Sequence, residues 1–245
     1  HRRRTLLALA IICGGVISFL LAGGFINWVL MAMREGAIQS QLGHVQITRP
    51  GYLREGASDP YRYLLGDDIA QITAGEEIGV RTVARRLAFT GLLSKEDATI
   101  SFIGEGIEPD AEALIGRAIT MVTGTSLQES PGDSVILGDG LAANIGAQPG
   151  DLVVLVSNTG SGGINAVELK VAGTFTTSTK AYDDSALRVP IEVARRLMRV
   201  EGATSWVVLL DRTERTDAVV AALRVRLPAD QYEVVPWHEL AEFYK

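Results

Sequence analysis

The sequence contains few of the residues that stabilise small secreted domains or build metal sites. It has one cysteine, Cys13, and three histidines, His1, His44 and His238. A single cysteine excludes a disulfide within the chain, so a folded domain must be stabilised by its core alone. The histidines are far apart in sequence and have no cysteine partners, and this spacing predicts no metal site.

The sequence also lacks the motifs of common enzyme classes. No glycine-rich loop ends in Gly-Lys-Ser or Gly-Lys-Thr, so this chain does not supply a P-loop ATPase. Residues 160–163 are glycine-rich, but they have no lysine and no following helix, and we interpret them as a hairpin loop. Residues 177–180 carry threonine where a Ser-x-x-Lys nucleophile needs serine. Asp183 and Asp184 are most simply a solvated loop. We therefore predict a protein that is not an enzyme, with no catalytic residues and no cofactor.

Positive charge is scarce after the first few residues. The formal net charge is −6, and three of the 23 basic residues are Arg2, Arg3 and Arg4, which leaves 20 basic residues against 29 acidic ones. Nucleic-acid binding needs clustered lysine and arginine to neutralise phosphates. The acidic remainder of the chain therefore excludes nucleic acid as a partner.

Charged residues are absent from residues 5–33. As a helix rising about 1.5 Å per residue, this segment is longer than the roughly 30 Å of a bilayer core. The alternative is a cleaved signal peptide, whose apolar region is only about 7–15 residues long. We predict a transmembrane helix. The three preceding arginines place its start in the cytoplasm and the rest of the chain outside.

The helical pattern continues beyond the predicted span. Apolar side chains recur at helical spacing as far as Leu42, and Gly43 is a natural helix terminator. We predict that residues 1–43 form a transmembrane helix and a stalk. An ordinary juxtamembrane linker is an equally compatible interpretation of residues 34–43.

Two segments that are distant in sequence have similar patterns. Residues 44–109 predict a strand, a loop, a short helix opened by Asp67 and Asp68, and two strands at 80–93 and 99–107. Residues 203–235 predict a strand at 206–210, a helix at 216–227 and a final strand. We predict that the two segments together form an α+β sandwich subdomain built on one mixed sheet.

The intervening residues 110–202 contain many short predicted strands separated by glycine and proline turns. This pattern predicts an inserted β-rich, barrel-like subdomain, separate from the first sheet and with its strand at 152–156 outside that sheet. After Pro236 a new helical stripe begins. We expect residues 236–245 to start a helix that returns to the membrane and leads into further spans.

Several short motifs, in this order along the chain, resemble the permease subunits of MacB/FtsX-type ABC transporters, including the lipoprotein-releasing LolC and LolE proteins. The motifs are His1-Arg2-Arg3-Arg4-Thr5, Gly43-His44-Val45-Gln46-Ile47, Gly51-Tyr52, Gly106-Ile107-Glu108-Pro109 with Glu112, Leu137-Gly138-Asp139-Gly140-Leu141-Ala142, Pro149-Gly150-Asp151 and Trp237-His238-Glu239-Leu240. Each motif alone is weak, and their order and spacing carry the resemblance over nearly the whole chain.

The resemblance implies a four-span permease in the bacterial inner membrane, with residues from about 43 onward in the periplasm. It also implies a porter-like subdomain at 44–109 and 203–235, and an inserted Sabre-like subdomain at 110–202. The implied partners are a separate cytoplasmic ATP-binding subunit, a second permease copy or homologue, the lipid bilayer, and a lipoprotein or another periplasmic protein.

Two functions are compatible with these expectations. One is a transporter that couples ATP hydrolysis to lipoprotein release or to export of a hydrophobic or peptide substrate. The alternative is an FtsX-like regulator of an extracytoplasmic partner such as a cell-wall hydrolase. Under either hypothesis the candidate contact surfaces are the loops at 51–63 and 157–166. The sequence leaves the substrate open.

Overall fold

A computed structural model of the chain describes residues 2–56, 59–66, 79–116 and 119–243. The chain forms two compact units, His1–Ala37 and Ile38–Lys245. The predicted helix that opens with Asp67 and Asp68 lies outside the described residues.

The first unit is a single helix, α1 (Arg2–Ala37), of 36 residues. Its apolar side chains are exposed on all sides, and its most apolar stretch of 18 residues is 0% buried within the protein. A helix that is apolar all round needs an apolar environment, and α1 is long enough to cross a bilayer. The predicted helix is confirmed.

The second unit begins with a five-residue π-helical segment, Ile38–Leu42, which we name the stalk base. Gly43 ends it with a φ of 65°. A Cβ atom at Gly43 would collide with the side chain of Val207, so both the backbone conformation and the close approach require glycine. The predicted end of the helix at Leu42 is confirmed.

The second unit contains short helices and ten strands within its described residues. The strands are β1 (Val45–Thr48), β2 (Val80–Lys95), β3 (Ala98–Ile107), β4 (Thr120–Gly124), β5 (Ser134–Gly138), β6 (Leu152–Asn158), β7 (Ile164–Thr176), β8 (Ala186–Pro190), β9 (Ser205–Leu210) and β10 (Glu233–Pro236). The helices are α2 (Tyr52–Glu55), α3 (Pro109–Ile115), α4 (Asp139–Ile145), α5 (Lys180–Asp183), α6 (Ile191–Met198), α7 (Thr216–Arg226) and α8 (Trp237–Phe243). Single 3₁₀ turns occur at Pro60–Tyr63 and Thr213–Arg215.

The two outer segments of the chain share one sheet, as predicted. Its strands follow the order β10-β1-β9-β2-β3. Val45 of β1 lies opposite Pro236 on one side and Val208 on the other. All four pairs are antiparallel, so the expected mixed character is wrong for this part of the sheet. Parallel pairing occurs instead between β3 and β8 and between β5 and β7.

The middle segment is joined to this sheet. From β3 the pairing continues through β8, β5 and β7, and β6 pairs with both β7 and β2. Strands β2-β3-β8-β5-β7-β6 therefore close into a ring. The predicted barrel is present, but the expectation that residues 152–156 lie outside the first sheet is wrong, because β6 pairs with β2 at 92–94. The division into subdomains at about 110 and 202 stays a prediction.

The length of β2 explains the correction. At about 3.3 Å per residue its 16 residues extend about 50 Å, enough to serve two partners in succession. Residues 80–86 lie within its pairing with β9, and residues 92–94 pair with β6. One hydrophobic core runs through both parts and contains Val45 and Trp206 as well as Val153 and Leu187. Predicted strand patterns cannot show that a strand changes partner halfway along.

Candidate binding cleft

A cleft opens where β2 passes from one partner to the other. Its pairing with β9 ends at Arg86, and its pairing with β6 begins at Leu92. The cavity at this point has a volume of about 350 Å³. Its lining is Tyr52, Gly56, Asp59, Pro60, Tyr61, Ala88, Phe89, Thr90, Ile103, Ser157 and Asn158.

Side chains satisfy the backbone of β2 inside the cleft. The amide of Ala88 donates to Thr204 Oγ1 at 2.9 Å, and Ser157 Oγ donates to the carbonyl of Thr90 at 2.7 Å. These two bonds occupy the strand edge at the places where a neighbouring strand would otherwise bind. A ligand in the cleft would therefore contact side chains more readily than extend the sheet.

The two loops that the sequence singled out meet at this cleft. Tyr61 Oη donates to the carbonyl of Asn158 at 3.0 Å, which joins the loop at 51–63 to the loop at 157–166. A Cβ atom on Gly160 would lie 3.6 Å from the Tyr61 ring and 2.6 Å from Val200. Residues 160–163 connect β6 to its antiparallel neighbour β7, which confirms the hairpin loop.

The lining combines an apolar wall with a polar rim. Tyr52, Tyr61 and Phe89 supply aromatic surface, and the Ile103 side chain is 50% exposed. Asp59 is the charged residue of the described lining. Burial raises the pKa of Tyr52 and outweighs the opposing effect of a hydrogen bond with Thr204, and the charge of Glu105 raises it further, so this phenol stays neutral at physiological pH. The cleft can hold an apolar group, whereas acid–base or nucleophilic chemistry has no suitable pair of groups in this lining.

A set of paired charges lies beside the cleft, and we name Arg86, Arg188, Glu105 and Glu112 the ionic cluster. Its two arginines and Glu112 are buried, and the Glu105 side chain is 20% exposed. Glu112 accepts two hydrogen bonds from Arg86, at 2.6 Å from Nε and 2.9 Å from Nη2. Arg188 Nη2 lies 2.8 Å from Glu105, and its Nη1 lies 3.6 Å from Glu112. Two positive and two negative groups balance one another, which is the condition for burying charge.

The cluster also fixes ionisation states. Burial disfavours the charged form of Glu105, but the guanidinium groups of Arg188 and Arg86 prevail, and the pKa of Glu105 is lowered. Tyr182 Oη donates to Glu105 at 3.1 Å. Burial and the negative charge of Glu105 raise the pKa of Tyr182. The cluster therefore holds an ionised carboxylate beside a neutral phenol.

Thr204 connects the cluster to the cleft. Its amide donates to the carbonyl of Arg86 at 2.8 Å, and its hydroxyl lies 3.0 Å from the same oxygen. The hydroxyl oxygen also accepts the bond from the Ala88 amide. The backbone of an ionic-cluster residue and the strand edge in the cleft thus share one side chain.

The histidines do not form a metal site within the described residues. His44 is buried and accepts a hydrogen bond at Nδ1 from the Leu210 amide at 3.1 Å. Its Nε2 therefore carries the hydrogen and donates to Thr213 Oγ1 at 3.0 Å. His238 stacks edge-on with Trp237 at 5.6 Å between ring centroids. His44 and His238 therefore lie in separate structural environments.

The interpretation of Asp183 as part of a solvated loop is wrong. Its side chain is buried and accepts hydrogen bonds from the Thr176 hydroxyl at 2.8 Å and from the amide and hydroxyl of Thr177. These donors at the end of β7 allow the carboxylate to be buried. Asp184 instead forms an exposed ion pair with Lys180 at 2.7 Å.

Sequence analysis missed the ionic cluster and the apolar wall of the cleft. One signal was present, because Arg188 interrupts the apolar run Ala186-Leu187-Arg188-Val189 of a short strand. A charge inside a buried strand needs a partner. The partner's identity depends on the pairing of β3 with β8, which is not visible in sequence.

Comparison with known proteins supports this architecture. A family model described as the MacB-like periplasmic core domain matches residues 5–226. The periplasmic region of MacB from Actinobacillus actinomycetemcomitans is 13% identical, with a TM-score of 0.57, and the match covers 84% of this chain and 95% of that one. The extracellular domain of the noncanonic ABC-type transporter YknZ from Gram-positive bacteria is 12% identical, with a TM-score of 0.53, and the match covers 78% and 98%. No curated protein matches the chain.

Proposed function

The chain belongs to the family of MacB-like periplasmic core domains, and from this premise we propose that it couples cytoplasmic ATP hydrolysis to conformational work outside the membrane. It is the extracytoplasmic domain of an ABC-type transporter permease, with α1 as its membrane anchor. A transporter permease component of this kind is not itself a catalytic enzyme, and its family implies an ATP-binding partner subunit and oligomerisation.

The observation that carries the proposal is the meeting of the two ends of the second unit. β1 follows the stalk base directly and pairs with β10, which leads into α8. The Trp237 amide at the start of α8 donates to the His44 carbonyl at 2.9 Å. β1 also lies between β10 and β9 inside the sheet. A displacement of the stalk base would therefore act on the sheet itself and on the segment that leaves it.

We assign the work done outside to lipoprotein release or to export of a hydrophobic or peptide substrate. The cleft supports this assignment, since its aromatic wall suits an apolar group and its rim supplies Asp59 and Asn158 as polar contacts. We place the permease in the bacterial inner membrane, paired with a second copy or a homologue and with a cytoplasmic ATP-binding subunit.

Replacing Ala37 with proline tests the proposal. Ala37 is the last residue of α1, and proline there removes a helix hydrogen bond and clashes with the preceding turn, at a local cost of about 3 kcal/mol or more. In the full transporter with its ATPase, we expect substrate release to fall sharply while hydrolysis persists. Ala37→Ser, which keeps the backbone amide, is the matched control and should retain release.

The outcome separates the two functions. If Ala37→Pro leaves release intact, the helix before the stalk base is only a tether, and the proposal fails. In that case the FtsX-like regulator, which acts by contact with an extracytoplasmic partner, becomes the better hypothesis. An unchanged melting temperature of the second unit is required for either conclusion.

A further inference from the structure

We propose that helix α3 carries displacement of the stalk base to the cleft, and that Glu112 is the positioning residue that joins the two. The inference rests on the proposed function, because it assigns a route to the coupling that this function requires. Its three parts are an apolar contact on α3, a charged contact on the same helix, and a shared strand beneath them.

The apolar contact joins α3 to the stalk base. Ile38 of the stalk base and Ile115 of α3 are both 0% exposed and belong to one hydrophobic cluster, which we name the stalk-base cluster. Its other buried members are Ala84, Val207 and Leu209. Ala111, one helical turn before Ile115, packs against the same cluster. Because interiors are close-packed, Ile38 cannot move far without moving the residues around it.

The charged contact is made by Glu112, the residue that follows Ala111 on α3. Glu112 is 4% exposed, and its carboxylate receives both bonds from Arg86 as well as the weaker contact from Arg188 of β8. A two-point bond between guanidinium and carboxylate is specific in geometry, so a small shift of α3 alters it.

Strand β2 runs beneath all three regions. Ala84 packs in the cluster with Ile38, Arg86 belongs to the ionic cluster, and Ala88 lines the cleft. Side chains two residues apart point to the same face of a strand, about 6.6 Å from each other. The stalk-base contact, the ionic cluster and the cleft are therefore neighbours along one face of β2, and Thr204 completes the connection to Ala88.

A buried ionic cluster that only stabilised the fold would have the same static geometry, so the test measures coupling. The full chain in lipid nanodiscs is used without an ATPase. The readout is the hydrogen-exchange rate of the Ala88 amide, which bonds to Thr204 in the cleft. The perturbation is Ile38→Ala, which removes packing atoms from the stalk-base cluster.

In the otherwise native chain, Ile38→Ala should raise the exchange rate of the Ala88 amide by about two- to thirtyfold, the range expected for linked sites. In a Glu112→Gln background the same change should have little effect on that rate. The matched control is Glu108→Gln, since Glu108 pairs with Arg85 and is not in the ionic cluster. It should leave the response to Ile38→Ala intact.

Two results would overturn the inference. One is a response of equal size with and without Glu112→Gln, and the other is no response to Ile38→Ala in the native background. If Glu112→Gln does not fold, Glu112→Asp keeps the charge but shortens the side chain, and it should also reduce the response. Since no ATPase is involved, a failure here is distinguishable from a failure of the Ala37→Pro experiment, which tests the proposed function itself.

Discussion

The stalk base and the cleft contact neighbouring residues of β2, but the side chains around them differ in chemistry. Ile38 of the stalk base packs in a buried apolar cluster with Ile115, Val207 and Leu209. The cleft, beside Ala88, mixes aromatic rings with hydroxyl, amide and carboxylate groups and is open to solvent. A contact that transmits movement needs tight packing, whereas a surface that exchanges ligands needs accessible polar groups.

The ionic cluster between them combines both properties. Three of its four residues are buried like the stalk-base cluster, yet it is polar like the cleft. Buried charges are costly when one partner is lost, so this region should be the most sensitive of the three to substitution. The comparison therefore predicts a ranking of effects, from the ionic cluster through the stalk base to the cleft.

The largest effect is expected for Glu112→Ala. It removes one of the two carboxylates that balance the buried guanidinium groups of Arg86 and Arg188, and Glu105 alone cannot neutralise both. We expect a loss of about 3–5 kcal/mol of unfolding free energy. Denaturant unfolding of the full chain, followed by tryptophan fluorescence, measures it. Glu108→Ala removes the partly exposed partner of Arg85 and should cost less. Equal losses for the two variants would contradict the special position of Glu112.

The next effect is expected for Ile38→Ala. Truncating this fully buried side chain leaves a cavity in the stalk-base cluster, and we expect a loss of about 2–5 kcal/mol. Ile38→Val removes one methylene and should cost about 0.5–1.5 kcal/mol in the same unfolding measurement. If Ile38→Ala costs less than about 2 kcal/mol, the stalk base is loosely attached and cannot transmit movement.

The pH dependence of stability gives a third prediction. The pKa of Glu105 is lowered in the folded protein, so its contribution is present at neutral pH and is lost as pH falls below the ordinary glutamate pKa of about 4.3. Glu105→Gln should therefore be less stable at neutral pH, and the difference from the native chain should narrow in acid. Contributions from other carboxylates, such as Asp151, whose pKa is also lowered, are common to both proteins. A difference that is constant between pH 7 and pH 3 would contradict this ionisation.

The sequence was a good guide wherever a pattern is local. The helix predicted at 216–227, the end of the helical segment before Gly43 and the hairpin at 160–163 all depend on neighbouring residues, and each is present in the structure. The sequence also indicated the loops at 51–63 and 157–166 as candidate contact surfaces, but it did not indicate that the two loops meet at one cleft.

The features that the sequence did not predict all depend on contacts between distant segments. That β6 joins β2 follows from the length of β2 and from a shared core, neither of which periodicity reveals. Asp183 is buried because strand β7 ends beside it with three free donors. The ionic cluster brings together residues from β2, β3, α3 and β8. Charge pairs of this kind require the topology to be known first.

The smallest effect is expected in the cleft, for Tyr61→Phe. The phenol donates to the Asn158 carbonyl at 3.0 Å in a partly solvated position, and water can replace it as donor. We expect a loss of about 0.5–1 kcal/mol of unfolding free energy, because a solvated acceptor does not pay the full penalty of burial. Tyr63→Phe, which removes an exposed bond to Glu55, is the matched control outside the cleft lining. The sharper readout is local, since Tyr61→Phe alone should increase amide exchange in the hairpin at 160–163. If both variants leave that exchange unchanged, the two loops are independent, and the cleft is not held in shape by their contact.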